Sequence, residues 1–177
     1  MANELNLYTV TIVPMLRALE NLSGILDKAA AHADARKLDW MNFEEALLGA
    51  RLVFNQFPFI RQVQVACDNA KGAAARMSGV EAPKMEDTEK TIAELKARVD
   101  KTLEYVKSVK PEAIIGRENE MIEMPVYFNG KKMVGYDYSV YYAMPNFYFH
   151  MATAYSILRA NGVELGKSDF LGDVPMK

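Results

Sequence analysis

Apolar residues recur at helical spacing over four separate stretches of this chain, and alternate over only one. That pattern leaves room for little besides a helical domain carrying one small ribbon. From about Glu4 to Lys37, residues Tyr8, Ile12, Met15, Leu16, Leu19, Leu22, Leu26 and Ala30 share one side of a helical wheel. Arg17, Asn21, Lys28 and His32 fall on the other. Pro14 lies inside the pattern, so this helix bends there or begins anew. Residues 38–56 read as a connection, irregular over 38–42 and briefly helical from Phe43 to Leu52. Phe57-Pro58-Phe59 opens a second long helix, with Pro58 suited to a first turn. It runs to about Ser78, and Gly79 is the expected C-terminal cap.

A loop containing Pro83 follows, and Thr88 is the expected N-cap of a third helix reaching about Val109. Ile92, Leu95, Val99, Leu103 and Val106 form its apolar stripe, while Glu94, Lys96, Asp100 and Lys101 cover the rest. Pro111 ends it. Over 119–136 the period changes to two: Ile122, Met124, Val126 and Phe128 alternate with Met121, Glu123, Pro125 and Tyr127. Asn129-Gly130 then precedes Lys131 to Tyr136, which predicts a two-stranded ribbon with a tight turn. The fourth helix runs from about Tyr138 to Asn161, with Gly162 as cap. It is apolar nearly all round and so should be the most buried. The tail from Val163 carries Phe170 and Leu171 and is expected to dock on the helices or on a partner. The fold class is therefore all-α: a four-helix bundle, one domain over residues 1–177, with the hairpin in the long linker before the last helix.

Composition narrows the chemistry. Lys and Arg total 21 against 23 Asp and Glu, a net charge of −2, with no basic block. A nucleic-acid partner is not expected from such a surface. No basic run precedes the first apolar segment, and no apolar stretch reaches the roughly 18 residues that a membrane span requires. A soluble, cytoplasmic protein with no membrane partner is expected. The chain has one cysteine, Cys67, and two histidines, His32 and His150. It therefore lacks the ligands of a zinc finger or an iron–sulfur centre. Cys67 stands beside Asp68, whose charge would raise a thiol pKa, so no activated nucleophile is signalled. His32 lies on the polar side of its helix, near the C-terminus.

Polar residues inside apolar arcs are more informative, because burying them costs free energy unless they are satisfied. On the second long helix, Arg61, Gln64, Asp68, Lys71 and Ala75 occupy one narrow side. Gln62, Asn69 and Arg76 instead lie within the wide apolar arc, seven residues apart. On the fourth helix, Tyr142, Asn146 and His150 stack at four-residue spacing, and Thr153 continues the line. Phe147, Tyr148, Phe149, Met151 and Tyr155 surround them. If the two stripes face each other, they form a polar ligand pocket in an aromatic wall, built as helical bundles build such sites. Arg76 could clamp a carboxylate there, and His150 is the candidate catalytic base. A plainer account also fits: the stripe marks the border between core and solvent, and His150 is a hydrogen-bonded core residue.

The segments QVQVACDNAKGAAARMSG, on the second long helix, and PNFYFHMATAYSILRANGVELGKSDFLG, on the fourth, resemble the DinB/YfiT-like superfamily. The closer likeness is to a bacterial branch of it known as a domain of unknown function, and it covers almost the whole chain. The resemblance implies an up-down-down-up bundle and often a homodimer. It also implies a metalloenzyme, with a divalent metal on three histidines: one from the second helix and a pair at i, i+4 on the fourth. Some members are thiol-dependent transferases or isomerases. Carried onto this chain, the second-helix position falls at or near Asn69, and the pair becomes His150 and Ala154. One imidazole and one amide are a weak site for zinc or nickel. A degenerate metal site with no cofactor is therefore expected; any divalent metal would have to sit on His150 with Asn69.

Three functional readings follow: a metal-free small-molecule pocket on Gln62, Asn69, Arg76, Tyr142, Asn146 and His150; a divalent-metal-dependent thiol transferase of DinB type; and a non-enzymatic dimeric interaction module.

Overall fold

The computed structural model describes residues 4–36, 42–174 and 176, and the protein is mostly helical with a small two-stranded antiparallel sheet. Its helices are α1 (Val13–Ala35), α2 (Phe43–Gly49), α3 (Phe59–Ser78), α4 (Ile92–Ser108), the single turn α5 (Gly135–Asp137), α6 (Met144–Ala160) and α7 (Lys167–Leu171). The expected end of the first helix at Lys37 and most of the irregular 38–42 stretch lie outside the described residues.

Both prolines inside helical patterns are met in the same way. Tyr8–Ile12 and Tyr138–Ala143 are π-helical, and each leads without a break into a helix with proline in its first turn. The Val13 N–H reaches the Tyr8 carbonyl, and the Met144 N–H reaches the Ser139 carbonyl, each five residues back. A proline has no N–H to give the ordinary ladder, and its ring crowds the carbonyl four residues earlier. The wider turn carries the helix past it. The two π-helical segments touch through a buried Thr11–Ser139 hydroxyl pair at 2.6 Å.

α3 begins one residue later than expected, with Pro58 as its N-cap, and Gly79 ends it with φ 77°. The N-cap of α4 is Thr91 rather than Thr88: its hydroxyl accepts the Glu94 N–H at 3.1 Å. The Glu94 carboxylate takes the Lys90 N–H at 2.5 Å, and Glu44 takes the Ile92 N–H at 2.7 Å. The amide groups of this first turn are thus answered locally and from α2, and the helix starts where they are.

The hairpin is shorter than its alternating pattern. β1 (Met121–Glu123) pairs with β2 (Lys132–Val134), Ile122 facing Met133. Pro125 cannot donate to a ladder, and the chain coils into a 3₁₀ turn over Val126–Phe128 before Asn129 (φ 54°) and Gly130 (φ 75°) reverse it. The Asn-Gly turn is where the sequence puts it; the strand leading to it is not.

The core lies between α1, α3, α4 and α6. Leu19, Leu22 and Leu26 meet Val63, Ala66, Ala70 and Met77, with Leu95, Val99 and Val106 on one side and Phe147, Met151, Ala154 and Ile157 on the other. Alanines along α3 let its neighbours come close. The tail docks on the protein itself: Phe170 packs on Tyr155, its carbonyl accepts from Asn21, and Asp169 pairs with Lys28 at 2.7 Å. No helix of the described residues is long and apolar enough to cross a membrane.

Candidate functional site

The two polar stripes meet along the seam between α3 and α6. His150 Nδ1 lies 2.7 Å from Gln62 Oε1, and the Gln62 Nε2 amide donates to the Phe57 carbonyl at 3.0 Å. Asn146 Nδ2 donates to Asn69 Oδ1 at 2.9 Å. Farther along, the Arg76 guanidinium lies near the phenols of Tyr138 and Tyr142, and the Tyr142 hydroxyl contacts that of Tyr127. Residue numbers rise along α3 as they fall along α6, so a seven-residue step on one helix is matched to a four-residue step on the other. Thr153 does not join the seam's pairs; its hydroxyl bonds back to the Phe149 carbonyl at 2.7 Å.

The hydrogen-bond chain at His150 sets its chemistry. The Phe57 carbonyl can only accept, so Gln62 turns its amide nitrogen toward it and its oxygen toward the imidazole. That oxygen in turn requires a proton on Nδ1, which leaves the lone pair on Nε2. His150 is 7 % exposed. Burial, aided by the positive charge of Arg61, holds its pKa below the ordinary imidazole value. The ring is therefore a neutral proton acceptor in a fixed tautomer. Phe149 beside it stands half-exposed, edge-on to the imidazole at 5.1 Å. At the other end, burial pushes both the Tyr138 and Tyr142 phenols up, against the opposing charge of Arg76.

The residues around His150 do not fit a divalent metal. Gln62 meets the imidazole where the sequence comparison put Asn69, and Asn69 spends its oxygen on Asn146. Ala154 is fully buried and offers no donor. Gln62 Oε1 is engaged by Nδ1–H. What remains is one imidazole nitrogen with no anionic partner, and among the described residues no group of three His, Cys, Asp or Glu is placed to hold a metal.

His32 sits half-buried against Phe43 at 5.5 Å, with Nε2 buried and unpartnered, far along α1 from this seam. Cys67 is fully buried, and burial pushes its thiol up to about 12, outweighing a hydrogen bond with Thr102. It is an inert core thiol.

A second polar centre escaped the sequence reading. Arg98 of α4, only 2 % exposed, reaches Asp68 at 3.0 Å, Asp87 at 2.9 Å and Glu89 at 2.9 Å, and donates to the Glu86 carbonyl at 3.1 Å. Gln64 adds a 2.9 Å bond to Glu89. The narrow polar side of α3 is thus covered by α4 and the 79–91 loop. The available signal was Arg98 itself, three residues after Leu95 and next to Val99, on the apolar side of its helix. A groove of about 680 Å³ opens on this side, lined by Met85, Glu89, Arg98, Lys101 and Tyr105 among others, away from His150.

A family model described as a domain of unknown function (DUF1993) matches residues 7–171. The crystal structure of a DinB family member protein from Shewanella denitrificans is 43 % identical in sequence, with a TM-score of 0.87 over 97 % of this chain and 94 % of that one. A comparison with curated proteins gave no match. On the family match, which spans nearly the whole chain, and on this likeness in both sequence and fold, the chain belongs to the DUF1993 family of DinB-like proteins.

Proposed function

We propose that the α3–α6 seam is a metal-free small-molecule site in which His150 Nε2 accepts a proton or a hydrogen bond from the ligand. The observation that carries this reading is the chain from the Phe57 carbonyl through Gln62 to His150 Nδ1, which fixes the tautomer and leaves the acceptor lone pair on Nε2. Gln62 takes up the Nδ1 proton, and among the described residues no hydrogen bond engages Nε2, whose lone pair is left for a ligand. Gln62, Asn69, Arg76, Tyr142 and Asn146 complete the site.

The seam sits in an up-down-down-up bundle. Supporting this are the antiparallel pairs Lys96–Asp27 and Lys107–Glu20 between α1 and α4. The α3–α6 pairs are also antiparallel. Along α1 and α6, Thr11 meets Ser139 and His32 approaches Gly162, which indicates a parallel pair.

The test is nitrogen-15 NMR of histidine-labelled protein. His150 should titrate below pH 6.5 and show the Nδ1–H tautomer, with Gln62→Leu abolishing the tautomer preference. Adding zinc or nickel in equimolar amount should leave the Nε2 resonance in place. Stoichiometric metal retention with a shifted Nε2 signal would instead support the divalent-metal thiol transferase.

A dimeric module is a second reading, favoured by one observation. Phe54, Phe57, Val126, Tyr127, Tyr141 and Phe149 are all exposed. Light scattering at micromolar concentration that finds only monomer would remove it.

A further inference from the structure

Gly72 stands in the middle of α3, where glycine weakens a helix relative to alanine. A Cβ built there would lie 2.4 Å from Arg76 Nη1 and 3.5 Å from its Cζ. The guanidinium has folded back one turn along the helix and occupies the space a side chain at 72 would fill. That brings it toward Asn69, three residues before Gly72 and on the same face, roughly 4.5 Å farther along the axis. Asn69 Nδ2 is buried with no hydrogen-bond partner, because the Asn69–Asn146 pair uses only its oxygen. No carboxylate pairs with Arg76 among the described residues. Around this end of the seam stand aromatic rings: Tyr142 lies 5.7 Å from Tyr138 and 5.5 Å from Phe128, and Tyr127 lies 4.8 Å from Phe128.

A guanidinium that meets the Tyr138 phenol but no carboxylate among the described residues, and an Asn69 amide without an acceptor, beside an aromatic wall, describe a site for an anion with an apolar body. We propose that Arg76 and Asn69 bind the carboxylate of a small aromatic acid against Tyr142 and Phe128, with Gly72 as the positioning residue that lets the guanidinium lie across α3. An arginine fork matches a carboxylate in two parallel hydrogen bonds, and the free Asn69 amide supplies a third donor. Arg98, also buried, is no competitor for this role, since three carboxylates already hold it. The inference rests on the reading of the seam as a ligand site and names the class of ligand.

The experiment is a titration of the full chain with benzoate, followed by calorimetry and by the His150 NMR signals, with benzamide as the neutral control. Benzoate should bind at least about tenfold more tightly than benzamide. Arg76→Met should lose that preference, and Arg76→Lys should keep only part of it. Gly72→Ala keeps the charge but displaces it, and should weaken benzoate by a comparable factor while leaving the protein folded by circular dichroism. Equal binding of benzoate and benzamide, benzoate binding unaffected in both Arg76→Met and Gly72→Ala, or no benzoate binding at ten millimolar overturns the inference. Arg76-dependent benzoate binding that leaves His150 unmoved supports the carboxylate seat while counting against His150 as the ligand's proton acceptor. Benzamide moving His150 as strongly as benzoate does the reverse.

Discussion

Removing the Arg98 side chain should cost this protein more stability than its charge composition suggests. The Arg98→Ala variant leaves three carboxylates gathered around an empty place. Two of them, Asp68 and Asp87, keep 38 % and 40 % of their side-chain surface, so water screens them and they contribute little. Glu89 is the partner that matters, at 10 % exposure, with a second bond from Gln64. Breaking a fully buried pair from one side costs about 3–5 kcal/mol. With one buried partner and two screened ones, the low end applies, about 3 kcal/mol. For a domain of this size that lowers Tm by roughly 6–12 °C. Urea denaturation at pH 7, followed by far-ultraviolet circular dichroism, measures it.

The origin can be tested through pH. Burial alone would raise the Glu89 pKa, but hydrogen bonds from Arg98, its own backbone and Gln64 bring it below the ordinary carboxylate value. A folded pKa below the unfolded one contributes stability that is present above the unfolded value and is lost as pH falls through the folded one. The gap between wild type and Arg98→Ala should therefore be full at pH 7 and should narrow below about pH 4. An Arg98→Ala cost under about 1 kcal/mol at pH 7, or a gap that stays the same at pH 3, would refute the reasoning.

Two further outcomes separate the structure from simpler readings. Thr91→Ala should destabilise the protein by about 1 kcal/mol through loss of the α4 cap, whereas Thr88→Ala should change it by less than about 0.5 kcal/mol, both read from urea midpoints. Cys67, buried and with its thiol pushed up to about 12, should resist a disulfide reagent at pH 8 in the native protein and react within the dead time in 6 M guanidinium; fast native labelling would show that α3 opens locally.

Much of this molecule was legible from residue spacing. The four long helices follow the 3.6-residue period, and the Gly79 end of α3 and the Asn129-Gly130 reversal follow from the residues that tolerate positive φ. Both polar stripes could be drawn on helical wheels, because i, i+4 and i, i+7 relations are local arithmetic. The Asp68 charge beside it argued against Cys67 as a nucleophile, and the wheel kept His32 out of the stripes. Where the sequence misled, a local rule met a second local rule: Thr88 and Thr91 are both acceptable caps, and Pro125 interrupts an otherwise regular strand pattern.

Tertiary structure alone decided how the stripes meet. A wheel says which residues share a face but not the axial offset between two helices, and that offset set Gln62, rather than Asn69, against His150. It also decided that Arg98 is buried, since a charged residue at the edge of an apolar stripe is solvated or covered according to the element lying above it. Here the 79–91 loop lies above it, and no local period reports that contact. The sequence by itself determined the four long helices, the Gly79 and Asn129-Gly130 turns, the scarcity of metal ligands and the family. Packing, which acts between residues far apart in the chain, determined which polar groups satisfy one another and which are left with a free nitrogen or an uncompensated charge.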